Sequence, residues 1–255
     1  MRLMTWNILD GGAGRIDPLA EVVRFAKADL LIVQEATDEP GLHKLADRLS
    51  MDRFLAKHPH NQQGAVAILT RLPLVEAINL TPLDPRLTRA AVAATVETPL
   101  HARLQLIGVH LHARETFSDE QIRLGELPAI LDAARRFAGQ PHLLAGDFNT
   151  NHPDQPIDPA RVRPSAKERI APQNNQHPRD VIRAILQHGY IDAHAASRTP
   201  QQFDTSFTTN HPATRVDFVF LSPELAPALR SCDVFKPSLA TYASDHYPVL
   251  AELAI

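Results

Sequence analysis

The sequence predicts an α/β protein in which two mixed β-sheets carry helices on their outer faces. Short runs rich in valine, isoleucine and leucine recur along the chain, and most of them are too short to be helices. Fewer segments with helical spacing lie between these runs, so some strands follow one another directly and others are separated by a helix. We find no internal repeat and no low-complexity tract. The pattern indicates the class of fold and leaves the order of the strands open.

Eight apolar runs are the predicted strands. They span residues 2–8, 29–35, 64–70, 90–97, 103–111, 142–148, 216–222 and 248–254. Two of the three predicted helices are marked by their ends. Residues 17–28 open with Asp17 and Pro18, an N-cap followed by a proline in the first turn. Residues 178–189 end at Gly189, which is typical of a C-terminal cap.

The remaining predicted helix covers residues 118–139. It begins at a serine–aspartate cap and ends at Gly139, and we expect Pro128 to kink it. Its apolar residues at helical spacing are Ile122, Leu127, Ile130, Leu131, Ala134 and Phe137.

The length and net charge of the chain bear on the number of domains and on its possible partners. The chain of 255 residues is long for one domain, but sandwiches and α/β barrels reach this size, so we expect residues 1–255 to form a single domain. The net charge of −3 is unlike that of a protein that coats nucleic acid, so contact with a polyanion would need a local patch or a metal ion. The single cysteine, Cys232, is expected to be a buried apolar residue without an internal disulfide.

Neither export nor a membrane span is predicted. The N-terminus lacks the long apolar stretch and the small-residue cleavage site of a signal peptide. No run approaches the ~18 uninterrupted apolar residues of a membrane helix. We therefore expect a cytoplasmic protein, and no protein partner is evident.

Residues 150–178 differ in composition from the rest of the chain. Five prolines precede Pro178 and no periodic apolar face is present, so we expect a long polar loop. From residue 161 to residue 183, six lysines or arginines stand against two acids. Two interpretations stay open. The stretch is either a solvated surface or a patch that meets a phosphorylated substrate through Arg161, Arg163, Lys167 and Arg169.

Polar side chains recur where the apolar runs end. They are Asn7, Glu35, His110, His112, Asp147 and Asn149, joined by Asp217 near the start of one run and by Asp245 and His246 just before the last. Each has a structural alternative, such as a turn for Asp147 with Asn149 or a core histidine for His110. Together they indicate a site, because sandwich and barrel enzymes assemble their chemistry from many strand ends.

The donor types favour a hard metal ion. Carboxylates with amides, and no cluster of cysteines, suit Mg²⁺ or Mn²⁺ better than zinc. His110 and His112 form an alternative zinc pair on one strand face, but no third nitrogen or sulfur ligand has a recognisable spacing. The sequence GGAG at 11–14 lacks the lysine of a Walker loop, and no G-x-S-x-G nucleophile motif occurs.

Seven segments follow one another in a recognisable order. They are TWNIL (5–9), LIVQEA (31–36), GAVAILTRLPL (64–74), IGVHLHA (107–113), LLAGDFNT (143–150), RVDFVFLS (215–222) and ASDHYPVLAEL (243–253). Singly they are weak, but jointly the set resembles the endonuclease/exonuclease/phosphatase superfamily over nearly the whole chain. The resemblance implies a four-layer αββα sandwich of two mixed sheets flanked by helices. It also implies hydrolysis of phosphate esters with a divalent metal, Mg²⁺ or Mn²⁺.

The resemblance also implies roles for individual residues. Glu35 would be the principal metal ligand, with Asn7 on the metal or the phosphate and Asp245 in the metal shell. In the motif that holds Asp147 and Asn149, the aspartate activates the attacking water and the asparagine binds the substrate phosphate. Because these two residues are two apart, an extended segment would point both side chains into one cleft and turn Phe148 to the core.

Two histidines and an aspartate complete the implied machinery. Asp217 and His246 would form a carboxylate–imidazole pair, in which the acid fixes the ring tautomer and favours the imidazolium that faces the phosphate. His110 would donate to a phosphate oxygen or to the leaving group. The family often has a hydroxyl or an amide before this histidine, where this chain has Val109. Arg89 stands where many relatives carry an arginine beside the site, and it is a candidate for binding phosphate.

Three functions are weighed on these grounds. The first is a metal-dependent nuclease or general phosphodiesterase that acts on nucleic acid or on a small phosphodiester. The second is a phosphomonoesterase or headgroup hydrolase on the same scaffold. The third is a relative that binds without catalysis, which the retention of every motif residue disfavours. The modest aromatic content and slightly acidic charge leave the choice between the first two open.

Overall fold

The fold is built on two mixed β-sheets of six strands each. A computed structural model describes residues 1–100, 102–198 and 203–255. In chain order its strands are β1 (Arg2–Asn7), β2 (Leu30–Gln34), β3 (Asp52–Ala56), β4 (Val66–Thr70), β5 (Leu74–Asn79), β6 (Ala91–Glu97), β7 (Arg103–His110), β8 (His142–Asp147), β9 (Ile191–Asp192), β10 (Asp217–Leu221), β11 (Leu229–Val234) and β12 (Val249–Leu253). The first sheet has the order β11-β12-β1-β2-β4-β3 and the second β5-β6-β7-β8-β10-β9.

Helices cover the outer face of each sheet. In chain order the helices of the described residues are α1 (Ile16–Ala26), α2 (Glu39–Leu49), α3 (Phe117–Arg135), α4 (Pro164–Ile170), α5 (Asp180–Gln187), α6 (Ala193–Ala196) and α7 (Ala240–Ala243). Apolar residues of α1, α2 and α7 pack in one cluster with the first sheet. Those of α3 and α5 pack with the second sheet. A third cluster fills the space between the sheets, so the predicted four-layer αββα sandwich is confirmed.

The strands that the sequence does not predict are β3, β5, β9 and β11. All four are edge strands of the two sheets. Most of their residues are exposed or only partly buried, whereas β2 and β4 are buried throughout. An edge strand needs no continuous apolar run, which explains why the search for such runs misses them.

Helix α3 departs from its prediction at both ends and on its buried face. Thr116 is the N-cap, in a capping box with Asp119, and the helix ends at Arg135 rather than at Gly139. It continues through Pro128. Ile122 is 40% exposed, whereas three charged residues of the same helix, Glu120, Arg123 and Glu126, are buried. The face that packs inward is therefore set partly by ion pairs and hydrogen bonds.

The structure differs from other predictions in smaller ways or agrees with them. Helix α1 begins at Ile16, so Asp17 lies inside its first turn and Arg15 is the cap. The loop predicted at 150–178 contains α4 and a short 3₁₀ turn. Cys232 is a buried free thiol, as expected. Within the described parts of the chain, the helices are too short or too polar to cross a membrane.

Candidate active site

The strand ends predicted to carry the site meet at one pocket. Eight of the nine predicted residues line it, namely Asn7, Glu35, Arg89, His110, Asp147, Asn149, Asp245 and His246. The strand register explains their convergence. His110 is paired with Asp147 across the parallel strands β7 and β8, and Asp217 opens the antiparallel β10 opposite the same Asp147. The space between these residues, counted to include open solvent at the mouth, is about 960 Å³.

A strained turn holds the carboxylate of Glu35. Glu35 has a φ of 56°, in the left-handed region that few non-glycine residues adopt. Its Oε2 accepts a hydrogen bond from the backbone N–H of Asp10 at 2.9 Å. Gly11 makes the turn around it, with a φ of 69°, and a Cβ there would lie 2.4 Å from the backbone nitrogen of Asp38. The glycines of GGAG therefore shape the acidic end of the pocket.

The amide of Asn7 joins two carboxylates. Its Nδ2 donates to Glu35 Oε1 and to Asp147 Oδ2, both at 3.1 Å. Its Oδ1 accepts from the backbone N–H of Leu9 at 3.0 Å, which fixes the orientation of the amide. Both hydrogens of the amide are used within the protein, so Asn7 holds the carboxylates of Glu35 and Asp147 in fixed positions.

Asp147 is buried at the end of β8, behind a glycine that the packing requires. Gly146 has a φ of 153°, and a Cβ there would lie 2.0 Å from the carbonyl oxygen of Val109. Burial and the neighbouring Asp217 carboxylate raise the pKa of Asp147, although His246 and Asn7 act in the opposite direction. A carboxylate with a raised pKa binds a proton more readily, as activation of a water molecule requires.

Asn149 reaches the pocket by a route different from the predicted one. The segment is not extended, because Asn149 has a φ of 53° and its N–H donates to Asp147 Oδ1 at 2.9 Å. Its side chain donates to the carbonyl of Leu111 at 3.0 Å. The predicted extended geometry is therefore wrong. Asp147 and Asn149 form a turn and also line the pocket, so the two alternatives posed for them do not exclude each other. Phe148 is fully buried, as predicted.

His246 is held between two buried carboxylates. Its Nδ1 lies 2.9 Å from Asp217 Oδ2, and its Nε2 lies 3.9 Å from Asp147 Oδ2. Burial lowers the pKa of the ring, but Asp217, Asp147 and Asp245 outweigh this effect and raise the pKa to about 10. The imidazole is therefore protonated at neutral pH. Asp217 itself is fully buried and does not line the pocket.

Two hydrogen bonds from β1 fix the segment that carries His246. Trp6 Nε1 donates to the carbonyl oxygen of His246 at 2.8 Å. The hydroxyl of Ser244 donates to the carbonyl oxygen of Asn7 at 2.6 Å and accepts from the N–H of His246 at 3.1 Å. The strand that ends in Asn7 thus also places His246.

His110 is neutral, unlike His246. Arg89 Nη1 lies 3.2 Å from its Nδ1 and 2.5 Å from its Nε2. Burial, with Arg89 and His246 nearby, lowers the pKa of His110 well below its usual value. His110 offers a neutral ring to the pocket and is not an imidazolium acid. His112 turns away to Asp119, 3.1 Å from its carboxylate, so the alternative zinc pair does not form.

The acidic end of the pocket fits a hard cation. Glu35 and Asp245 supply carboxylate oxygens, and Asp245 Oδ1 is buried without a hydrogen-bond partner among the described residues. Oxygen donors of this kind suit Mg²⁺ or Mn²⁺. A second cluster, Asp147, Asp217 and His246, also brings three donor atoms within 4.8 Å of one another. We favour the first, because in the second Nδ1 of His246 and Oδ2 of Asp217 are already bonded to each other at 2.9 Å.

Helix α3 positions three loops of the site through its buried charges. Glu126 accepts from the backbone N–H of Thr88 at 3.0 Å and from that of His112 at 2.8 Å, so it holds the residues next to Arg89 and beyond His110. Glu120 accepts from the Thr150 hydroxyl at 3.0 Å. Arg123 donates to the carbonyl of His112 at 2.8 Å. These three residues are called the α3 triad, and no sequence pattern predicts that they are buried.

The outer half of the pocket was largely missed from the sequence. Its lining includes Arg114, Glu115, Asn151, Arg163, His177, Phe207, Thr208 and His211. Among these, only Arg163 belonged to the predicted basic patch. Arg163 and Arg169 both donate to the carboxylate of Glu115, at 2.8 and 2.6 Å. Arg161 lines a separate groove, so the predicted four-residue patch does not act as one surface.

Comparison with known proteins identifies the family and the fold of the chain. The sequence profile of the Endonuclease/Exonuclease/phosphatase family matches residues 4–246. A 3′-5′ exonuclease (NExo) from Neisseria meningitidis is 22% identical with a TM-score of 0.71, and 100% of both chains is covered. An AP endonuclease from Archaeoglobus fulgidus is 17% identical with a TM-score of 0.70, again over 100% of both chains.

A third solved structure, the catalytic domain of human Nocturnin with a bound sulfate anion, is 21% identical with a TM-score of 0.68. It matches over 99% of this chain and 92% of its own. At such identities these likenesses establish the fold alone. No curated protein sequence matches the chain. The family profile spans almost the whole length, and the chain therefore belongs to the endonuclease/exonuclease/phosphatase family.

Proposed function

We propose that this protein hydrolyses phosphate esters with the help of a divalent cation, Mg²⁺ or Mn²⁺, and acts as a phosphodiesterase or nuclease. The observation that carries the proposal is the buried His246 ring between Asp217 and Asp147, in a pocket that also holds Glu35, Asp245 and Asn149. Membership of the family supports hydrolysis of phosphoesters. The pocket supplies donors for a phosphate and an acceptor for the proton of water.

The proposed role of each residue follows from its charge. The His246 imidazolium and the Asn149 amide donate hydrogen bonds to the phosphoryl oxygens, while Asn7 holds the carboxylates of Glu35 and Asp147 in place. Asp147, whose pKa is raised, accepts the proton of the attacking water. Glu35 and Asp245 hold the cation, which would neutralise phosphoryl charge and lower the pKa of bound water.

His110 and Arg89 have a supporting part in this proposal. Arg89 is largely buried beside Asp147 and Glu35, and burial lowers its pKa although both acids oppose the change. Its guanidinium donates to the neutral His110 ring, which leaves one imidazole N–H for a phosphate oxygen. Acid–base and hydrogen-bonding help of this kind contributes roughly 10²–10⁴-fold to the rate.

The substrate is either a nucleic acid or a small phosphodiester. One relative of known structure is described as a 3′ phosphatase bound to a product DNA hairpin, and another as an AP endonuclease. Those descriptions concern the relatives, and they guide the choice of substrates to test. A phosphomonoesterase or headgroup hydrolase would use the same groups on a smaller ester.

A substrate panel tests the proposal. It comprises plasmid, abasic duplex, single-stranded RNA, bis-p-nitrophenyl phosphate and phosphomonoesters, each with Mg²⁺, with Mn²⁺ and with chelator. We expect turnover with a metal that the chelator removes, and loss of that turnover in Glu35→Ala and His246→Ala at unchanged melting temperature. The control is His43→Ala, which changes a histidine exposed on α2. Full activity of the Glu35 and His246 variants would refute the proposal.

A further inference from the structure

The outer half of the pocket holds polar groups that the proposed reaction does not use. Asn151, Arg163 and His177 line it, and each has a buried atom without a hydrogen-bond partner among the described residues. These atoms are Asn151 Oδ1, Arg163 Nε and His177 Nδ1. Asn151 is only 4% exposed. Buried polar atoms without partners are uncommon in folded proteins, and three on one wall of a pocket point to a ligand.

These groups are held next to the proposed catalytic centre. The backbone N–H of Asn151 and the Thr150 hydroxyl both donate to the carbonyl of Pro178, at 3.2 and 3.1 Å, which brings Asn151 beside His177. The guanidinium carbon of Arg163 lies 4.7 Å from the centre of the Phe207 ring. The same ring lies 4.4 Å, centre to centre, from that of His246. Arg163 is therefore one aromatic ring away from the imidazolium that faces the phosphate.

The balance of charge in this region is positive. Arg163 and Arg169 share the carboxylate of Glu115, and Asp119 and Glu168 also act on Arg169, so the excess of positive charge in the pocket rests on Arg114. Arg114 also lines the pocket, and within the described residues it forms no ion pair. Burial and Arg179 lower the pKa of His177, so its ring is neutral and offers one N–H donor. The unpartnered atom of Asn151 is the acceptor Oδ1, while Nδ2 of the same amide is a donor. The free donors of Arg114, Arg163 and His177 thus suit an anion.

We propose that Arg114, Asn151, Arg163 and His177 form a subsite for a second anionic group of the substrate, a phosphate one linkage away from the phosphate that is hydrolysed. The inference rests on the proposed function, because it takes the His246 end as the place of hydrolysis. It narrows the substrate to molecules with two neighbouring phosphates. These are either nucleic acid strands with successive phosphodiesters or small bisphosphorylated molecules.

Binding measurements test the subsite without turnover. Calorimetry with chelator present compares adenosine 3′,5′-bisphosphate with adenosine 5′-monophosphate. We expect wild type to bind the bisphosphate about tenfold or more tightly, as a charged hydrogen bond allows. Arg163→Gln and Arg114→Gln should bring the ratio of the two affinities close to one. The matched control is Arg161→Gln, in the same loop but lining another groove, and it should keep the wild-type ratio.

Equal affinity of wild type for the two nucleotides, or an unchanged ratio in Arg163→Gln, overturns the subsite. Hydrolysis of bis-p-nitrophenyl phosphate is measured separately in the presence of Mg²⁺. This ester carries no second phosphate. If that ester is cleaved while the affinity ratio is one, the subsite alone is wrong. If no ester of the substrate panel is cleaved while the ratio holds, the proposed function is wrong and the anion site stands. A 5′-phosphorylated dinucleotide and fructose 1,6-bisphosphate then identify which class of bisphosphate binds more tightly.

Discussion

The carboxylate of Asp217 lies behind the imidazole of His246 and outside the pocket, with its Oδ2 2.9 Å from Nδ1 of the ring. Because Asp217 is fully buried, it reaches a substrate only through His246. It sets the tautomer of the ring and, despite the cost of burial, helps to raise the pKa of His246 to about 10. Its role is therefore to position and charge another residue.

Substitution of Asp217 by Asn should lower turnover with little effect on substrate binding. Loss of the charge weakens the imidazolium, and an amide at Nδ1 disturbs the tautomer, so we expect kcat to fall about 10²–10⁴-fold. KM should change much less, since Asp217 does not line the pocket. Steady-state kinetics on bis-p-nitrophenyl phosphate check this, with Asp132→Asn, an exposed aspartate in surface ion pairs, as the control. A fall confined to KM would contradict the positioning role.

Measurements of metal affinity should show which of the two clusters of acidic side chains binds the metal. We expect Glu35→Gln and Asp245→Asn to weaken Mg²⁺ or Mn²⁺ binding at least about tenfold, because each removes a charged ligand. His246→Gln should weaken it far less, since Nδ1 of its ring is bonded to Asp217 and is not free for a metal. Calorimetric titration of metal-free protein measures all three. If the His246 variant loses as much affinity as the Glu35 variant, the metal lies in the Asp147, Asp217 and His246 cluster instead.

Central strands and the residues at their ends were predictable, because both sheets bury these strands on two faces and leave long apolar runs. The edge strands β3, β5, β9 and β11 were not, since only part of each is buried. Asn149 shows a second limit. Its place in the pocket was expected, but its left-handed backbone depends on a hydrogen bond to Asp147 that spacing does not reveal.

The buried charged residues of a helix were also not predictable from the sequence. Helical spacing selects apolar residues, so it chose Ile122, which is exposed, and passed over Glu126, which is buried. Glu115 gave no signal either, because its importance comes from two arginines about 50 residues away in the chain, at separations of 48 and 54. Such contacts depend on tertiary structure, and only a fold shows them.

The α3 triad should matter for catalysis through the loops that it holds. In Glu126→Gln one carboxylate oxygen becomes an NH₂ group, so either the N–H of Thr88 or that of His112 loses its acceptor. Because Arg89 and His110 would shift, we expect kcat to fall about tenfold. The assay is run far below the melting temperature, so that unfolding does not contribute. Glu21→Gln, on the exposed face of α1, is the control. Unchanged kinetics in a variant with a lowered melting temperature would assign the triad to stability alone.

Gly146 should tolerate no side chain. A Cβ would lie 2.0 Å from the carbonyl oxygen of Val109, so Gly146→Ala must displace β7 or β8, which carry His110 and Asp147. We expect a loss of about 3 kcal/mol or more in the free energy of unfolding, measured by urea denaturation. The control is Gly125→Ala on the exposed side of α3, where a Cβ meets nothing within 4 Å. It should stabilise the helix by about 0.5–1 kcal/mol. Similar effects of the two changes would contradict the steric argument.

Glu115 should make stability depend on pH. Burial raises its pKa, but Arg169 and Arg163 outweigh this and hold the pKa below its usual value. A carboxylate with a lowered folded pKa stabilises the protein above its unfolded pKa, and this contribution is lost as the pH falls through the folded value. The difference in free energy of unfolding between wild type and Glu115→Gln should therefore be largest near pH 7 and shrink below about pH 4. Urea denaturation across this range measures it, with Glu168→Gln, an exposed residue of α4, as the control. A difference that grows as the solution is acidified would show that the arginines do not hold Glu115 ionised.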